Sequence, residues 1–124
     1  LLSSCPEWGQ LKPSQQPQQK EQEPPEEDES VAPKEYAFNP LQATKEVEIG
    51  NYYFKKKNYR AAAKRFSEAT KWNPTYAEAF LRLGEAEEKL RDKTAIRQAY
   101  EKYLELQPEA KNAAEIQKKL AGKR

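Results

Sequence analysis

The side chains able to do covalent or acid–base chemistry are few, and their spacing does not serve it. Histidine is absent, so the single cysteine, Cys5, has no imidazole anywhere in the chain to take its proton. There is no Gly-rich phosphate loop, and no cluster of Cys, Asp and Glu has transition-metal ligand spacing. The carboxylates that do crowd together are Glu85, Glu87 and Glu88. On an exposed helix face their ordinary use is solvation and pairing with Lys89, Arg91 or their neighbours, not general acid and base work. The other dense stretch is Tyr52-Tyr53-Phe54-Lys55-Lys56-Lys57-Asn58-Tyr59-Arg60, in which rings alternate with cations as in surfaces that stack bases and hold phosphates. The chemistry on offer is therefore binding: no enzyme is expected, no cofactor, and no metal.

The elements that position these residues obey a pattern written twice. Gly50 recurs as Gly84, Asn58 as Asp92, Phe66 as Tyr100, Pro74 as Pro108 and Ile49 as Leu83, at an offset of 34 residues. Asn39-Pro40 stands the same distance before Asn73-Pro74. A period of that length implies stacked copies of one supersecondary unit. Apolar spacing predicts five helices, at about 41 to 56, 59 to 72, 75 to 90, 93 to 106 and 109 to 121. Gly50 and Gly84 fall inside the first helix of each unit, where glycine costs roughly 1 kcal/mol relative to alanine. Close approach of a second helix would offset that cost. Asn39 and Asn73 are suited to cap helix starts with Pro40 and Pro74 at the first helical position, and Asn58 and Asp92 to cap the second helices.

At these residues the chain resembles the tetratricopeptide repeat family, a helix-turn-helix unit reading W-x2-L-G-x2-Y, then A-x3-F, then P. Ile49-Gly50, Tyr53, Ala62, Phe66, Ala69 and Pro74 supply the first unit; Phe80, Leu83-Gly84, Tyr100 and Pro108 supply the second. Four positions depart from it: Glu46 at the leading aromatic, Glu87 at the second unit's Tyr, Ile96 at its Ala, and bulky Tyr103 where Ala69 stands one unit earlier. The resemblance implies an all-α fold: a short α-solenoid of two units, about 43 to 76 and 77 to 110, with a capping helix over 111 to 121. That cap should turn Ala113, Ile116 and Leu120 inward and Lys111, Lys118 and Lys119 outward, with Ala113 and Ala114 making room for Tyr103.

Residues 1 to 40 differ in kind. They hold seven of the nine prolines, the run Gln15-Gln16-Pro17-Gln18-Gln19 and the acidic run Glu26-Glu27-Asp28-Glu29. With three lysines and eight acids their net charge is −5, whereas the remainder carries +7. Too little apolar surface is present to offset the entropy of ordering, so a disordered or extended tail is expected. Leu2-Ser3-Ser4-Cys5 resembles the end of a bacterial lipoprotein signal, in which cleavage precedes a cysteine that then carries lipid. The chain starts without Met, as a fragment or a processed product would. No apolar run approaches the ~18 residues of a spanning helix, so membrane attachment would be through lipid on Cys5 or through a partner. The expected setting is the extracytoplasmic side of the bacterial envelope, with a cytoplasmic location as the alternative.

In the family, first helices of successive units line a concave groove that holds peptides or partner helices. Mapped here, that face takes in Thr44, Val47, Asn51, Phe54 and Lys55, then Glu78, Leu81, Glu85, Glu88 and Lys89. Members that bind chaperone tails clamp a carboxylate with Lys, Asn and Arg; only Asn51 matches, and Val47, Glu78 and Glu85 stand where basic or amide groups are needed. The register also places Tyr53 and Tyr59 on positions the family buries, leaving Lys55 to Lys57 to complement a helix C-terminus, which argues against nucleic acid and against anionic lipid headgroups. The reading is a protein-binding or assembly subunit, as a lipoprotein component of an envelope complex. Its alternatives are a soluble co-chaperone or scaffold, and a nucleic-acid or anionic-membrane binder using the basic surface.

Overall fold

The computed structural model describes residues 35–122. Of the expected tail over residues 1 to 40, residues 1–34 lie outside the described residues, as does the lipidation reading of Cys5. Five helices are arranged in order: α1 (Pro40–Lys55), α2 (Tyr59–Trp72), α3 (Ala77–Leu90), α4 (Lys93–Leu106) and α5 (Ala113–Gly122). Among the described residues there is no strand, and no helix is long and apolar enough to cross a membrane. Each helix packs on the next, α1 on α2, α2 on α3, α3 on α4 and α5 on α4, which is the all-α solenoid the repeat implies.

The glycine positions explain why the two units close alike. A Cβ built on Gly50 would lie 2.5 Å from Cε1 of Phe66, and one on Gly84 would fall against the same atom of Tyr100. Phe66 and Tyr100 are both fully buried, so neither ring can swing aside. The offset of 34 residues thus records one crossing made twice, with an aromatic ring from the second helix filling the place of a missing side chain on the first.

Helix starts obey local chemistry, and there two expectations are corrected. Asn58 and Asp92 cap α2 and α4, accepting from the backbone N–H groups of Ala61 (3.2 Å) and Ala95 (3.1 Å). Asn39 caps α1, with Pro40 at its first position. Asn73 does not cap α3. Its Oδ1 accepts from the Thr75 N–H (3.2 Å) and hydroxyl (3.0 Å), and its carbonyl accepts from the Tyr76 N–H, so Pro74 sits in a turn and α3 starts at Ala77 rather than 75. Pro108 likewise opens a turn, closed by Ala110 N–H to the Gln107 carbonyl, and α5 starts at Ala113 rather than 109.

The expected edge of the helical domain at residue 41 also shifts. The Tyr36 hydroxyl donates to the Glu68 carboxylate at 2.8 Å, its ring lies edge-on to Trp72 with centroids 4.9 Å apart, and the Asn39 N–H donates to the Trp72 carbonyl. Packing on α2 therefore begins at Tyr36, because an aromatic ring there finds an apolar seat and a carboxylate together.

Two apolar clusters result. Ala43, Val47, Tyr53, Ala62, Ala63, Phe66, Ala69, Ala79 and Ala86 form the first; Ile96, Tyr100, Tyr103 and Ile116 form the second. Helix α3 serves both, with Ala79 and Ala86 in the first and Phe80 and Leu81 packed on the second. Glu46, at the leading aromatic position, is buried and held by Arg65 of α2 at 3.0 Å and by Gln42. Tyr103 is buried and donates to Asn112 at 2.9 Å, and Ile116 of α5 joins it in the second cluster. Ala113 is buried, whereas Ala114 is exposed and makes no room there.

Candidate partner-binding groove

The face expected to bind belongs to α1 and α3, and its centre is a residue outside the mapped set. Arg82, on α3, donates from Nε to Oδ1 of Asn51 on α1 at 3.0 Å and forms an ion pair with Glu85 one turn along its own helix. Its guanidinium lies over the Phe54 ring at 4.7 Å and over Phe66 at 5.3 Å. Asn51, Phe54 and Glu85 are thereby joined across the two units by one cation, whose planar fork suits amide, carboxylate and ring at once. The sequence does carry a signal for it: opposite charges at i and i+3, Arg82 and Glu85, are a standard helical pair.

The remaining mapped residues divide. Val47 is 4% exposed and packs in the first cluster, so it cannot offer a contact and is removed from the groove. Thr44 is exposed, but its hydroxyl donates to the Pro40 carbonyl at 3.0 Å. Phe54 is half-buried and edge-on to Tyr59 at 5.1 Å; Leu81 is half-buried against the second cluster. Glu78 is exposed in the first turn of α3, where the helix dipole favours an acid, and Lys55 is exposed at the end of α1.

The acidic group does not pair as expected. Glu88 meets Lys119 of α5 at 3.2 Å, and that ammonium also lies 5.6 Å from the Tyr100 ring. Instead of pointing outward, Lys119 turns onto α3, because a carboxylate and a ring face are both within its reach. Lys89 lies over Tyr59 at 5.7 Å. Glu87 stands beside Asp92 and Arg60, and burial together with the Asp92 charge raises its carboxyl pKa against the opposing pull of Arg60. Burial and the carboxylates of Glu88, Glu85 and Glu115 hold the Tyr100 hydroxyl well above the ordinary tyrosine range, so it stays neutral.

Such a face is suited to binding. Among the described residues, no group of three or more acids or cysteines is gathered to hold a metal. Its central charges are already paired, its geometry is fixed by hydrogen bonds between helices, and its apolar surfaces are the half-buried Phe54 and Leu81. That is the layout of a recognition surface, with apolar seats flanked by polar groups that set register. Residues 50–90 match a family model described as TPR repeat, and residues 77–110 match one described as tetratricopeptide repeat. No curated protein matches the chain.

Proposed function

Residues 50–110 are tetratricopeptide repeats, modules that serve protein–protein interaction, and from that premise we propose that this chain is an assembly subunit whose α1–α3 face receives a segment of a partner protein. The observation that carries the reading is the Arg82 junction, which holds Asn51, Phe54 and Glu85 in one fixed arrangement before any partner arrives. Pre-organisation of this kind lowers the entropy lost on binding. An apolar side chain of the partner seats between Phe54 and Leu81, and its backbone exchanges hydrogen bonds with the Arg82–Glu85 pair.

The setting we propose is the bacterial envelope, where lipid on Cys5 anchors the chain and the stretch between Cys5 and Tyr36 tethers the repeats within a larger complex. Leu2-Ser3-Ser4-Cys5, followed by a Pro/Gln/Glu-rich stretch, supports it. The experiment has two arms. Affinity capture with the Phe54→Ala, Leu81→Ala double variant should lose the partner that the wild-type chain retains, with thermal melting confirming that the variant is folded; unchanged capture sinks the groove assignment. Expression of the full-length gene should give a product that begins at Cys5 with acyl groups attached, and Cys5→Ser should release it from the membrane. A mass that keeps Leu1 to Ser4 without lipid removes the envelope reading and leaves a soluble scaffold.

A further inference from the structure

The turns joining α1 to α2 and α3 to α4 lie on one edge of the stack. The Lys89 ammonium near the end of α3 sits 5.7 Å from the ring of Tyr59 at the start of α2. Arg60 of α2, Leu90 at the end of α3 and Asp92 at the start of α4 line one open cleft of about 420 Å³. Lys56, Lys57, Arg60, Lys89, Arg91 and Lys93 therefore gather on this edge, where the opposing carboxylates are Asp92, occupied by capping Ala95, and Glu87. The turns at the opposite edge, residues 73–76 and 107–112, carry only Glu109 and Lys111 as charged groups.

Fold stability accounts for only part of this charge: the C-terminal ends of α1 and α3 favour the cations of Lys56, Lys57, Lys89 and Arg91, but other local preferences run against the set. Lys57 and Arg91, one repeat apart, both adopt left-handed backbone, with φ of 65° and 61°, where glycine alone is free of steric cost. Arg60 and Lys93 stand in the first turns of α2 and α4, the helix end at which the dipole disfavours a cation, and neither first turn holds an acid. Six like charges on one edge also repel. Positive charge is thus kept here against three separate local preferences, and such cost points to a role outside the fold.

We propose that this edge docks on a bilayer surface bearing anionic phospholipid headgroups, so that the groove is held at a fixed orientation to the membrane. Headgroups fit better than nucleic acid, because the nearby rings are not open platforms for bases. Tyr52 is edge-on to Tyr53 at 5.3 Å beneath Lys56, and Tyr59 is edge-on to Phe54 at 5.1 Å beneath Lys89. The contact is electrostatic and sequence-blind, made by long side chains on two turn tips with Leu90 exposed between them.

The test uses the full chain in unlipidated form with vesicles of phosphatidylcholine alone or mixed with phosphatidylserine. Wild type should float with the mixed vesicles, not with phosphatidylcholine, and should detach as salt is raised. The Lys57→Gly, Arg91→Gly double variant should lose about twenty-five-fold in partition, at about fivefold per cation near an anionic surface. It should melt no lower than wild type, since glycine is at ease at both positions; a residue kept for structure alone would show the reverse. Lys71→Gln with Lys111→Gln, away from this edge, should bind as wild type does. Equal binding by the glycine variant, absence of wild-type binding, or tighter binding to single-stranded DNA than to the mixed vesicles would each overturn the proposal. Because these variants spare Phe54 and Leu81, partner capture reports on the groove separately.

Discussion

The first and second repeat units carry the same pattern and solve different problems with it. Both place a glycine against a fully buried ring, Gly50 against Phe66 and Gly84 against Tyr100. Around that shared crossing they diverge. In the first unit α1 and α2 are pinned by the buried Glu46–Arg65 pair, and Asn39 caps the opening helix. In the second unit Phe80 packs against the apolar cluster, Asn73 makes a turn, and the bulk of Tyr103 is accommodated by α5. The repeat fixes the crossing, and the flanks adapt to the neighbours of each unit: Tyr36 on one side, a capping helix on the other.

The largest effect that would break this contrast is at Glu46. Removing one partner of a buried ion pair is strongly destabilising, so Glu46→Ala should cost about 3 kcal/mol, read by denaturant titration. Replacing the pair together, Glu46→Leu with Arg65→Met, should recover most of that loss, because the second unit does without a pair. Failure of the double variant to recover would show that the first unit needs the charge itself.

Next come the glycines. Gly50→Ala and Gly84→Ala should each cost about 1 to 3 kcal/mol in thermal or denaturant melts, since the added methyl meets a ring that cannot move. Similar losses in both would confirm that the units share one crossing; a loss in only one would mean that the period of 34 residues repeats the sequence without repeating the packing.

That crossing is legible in the sequence because it depends on residue size at fixed spacing. The caps at Asn58 and Asp92 are legible for the same reason, being local. Asn73 and the starts of α3 and α5 are not, because an Asn-Pro pair serves equally as a cap or as a turn, and the residues after it decide between the two. Arg82 stays hidden in the sequence because its worth comes from Asn51 and Phe54 on another helix. Register assigns Val47 to the groove, yet α1 turns it into the core. The edge shared by the two turns requires the stack itself, since Lys57 and Arg91 become neighbours only when the units lie side by side.

A smaller effect separates the two Asn-Pro pairs. Asn39→Ala removes a helix cap and should cost about 1 kcal/mol, whereas Asn73→Ala loses only a turn contact and should cost less than half of that, measured by thermal melting. Equal losses would contradict the different roles given to them.

The most direct measurement of the central claim, that the α1–α3 face receives a partner protein, is site-specific photo-crosslinking in cells. A photoreactive residue at position 81, in place of the half-buried Leu81 of the proposed groove, should yield an adduct with the captured partner. The same residue at position 98, where exposed Gln98 stands on α4, should yield none. Adducts from position 98 and not from position 81 would contradict the account.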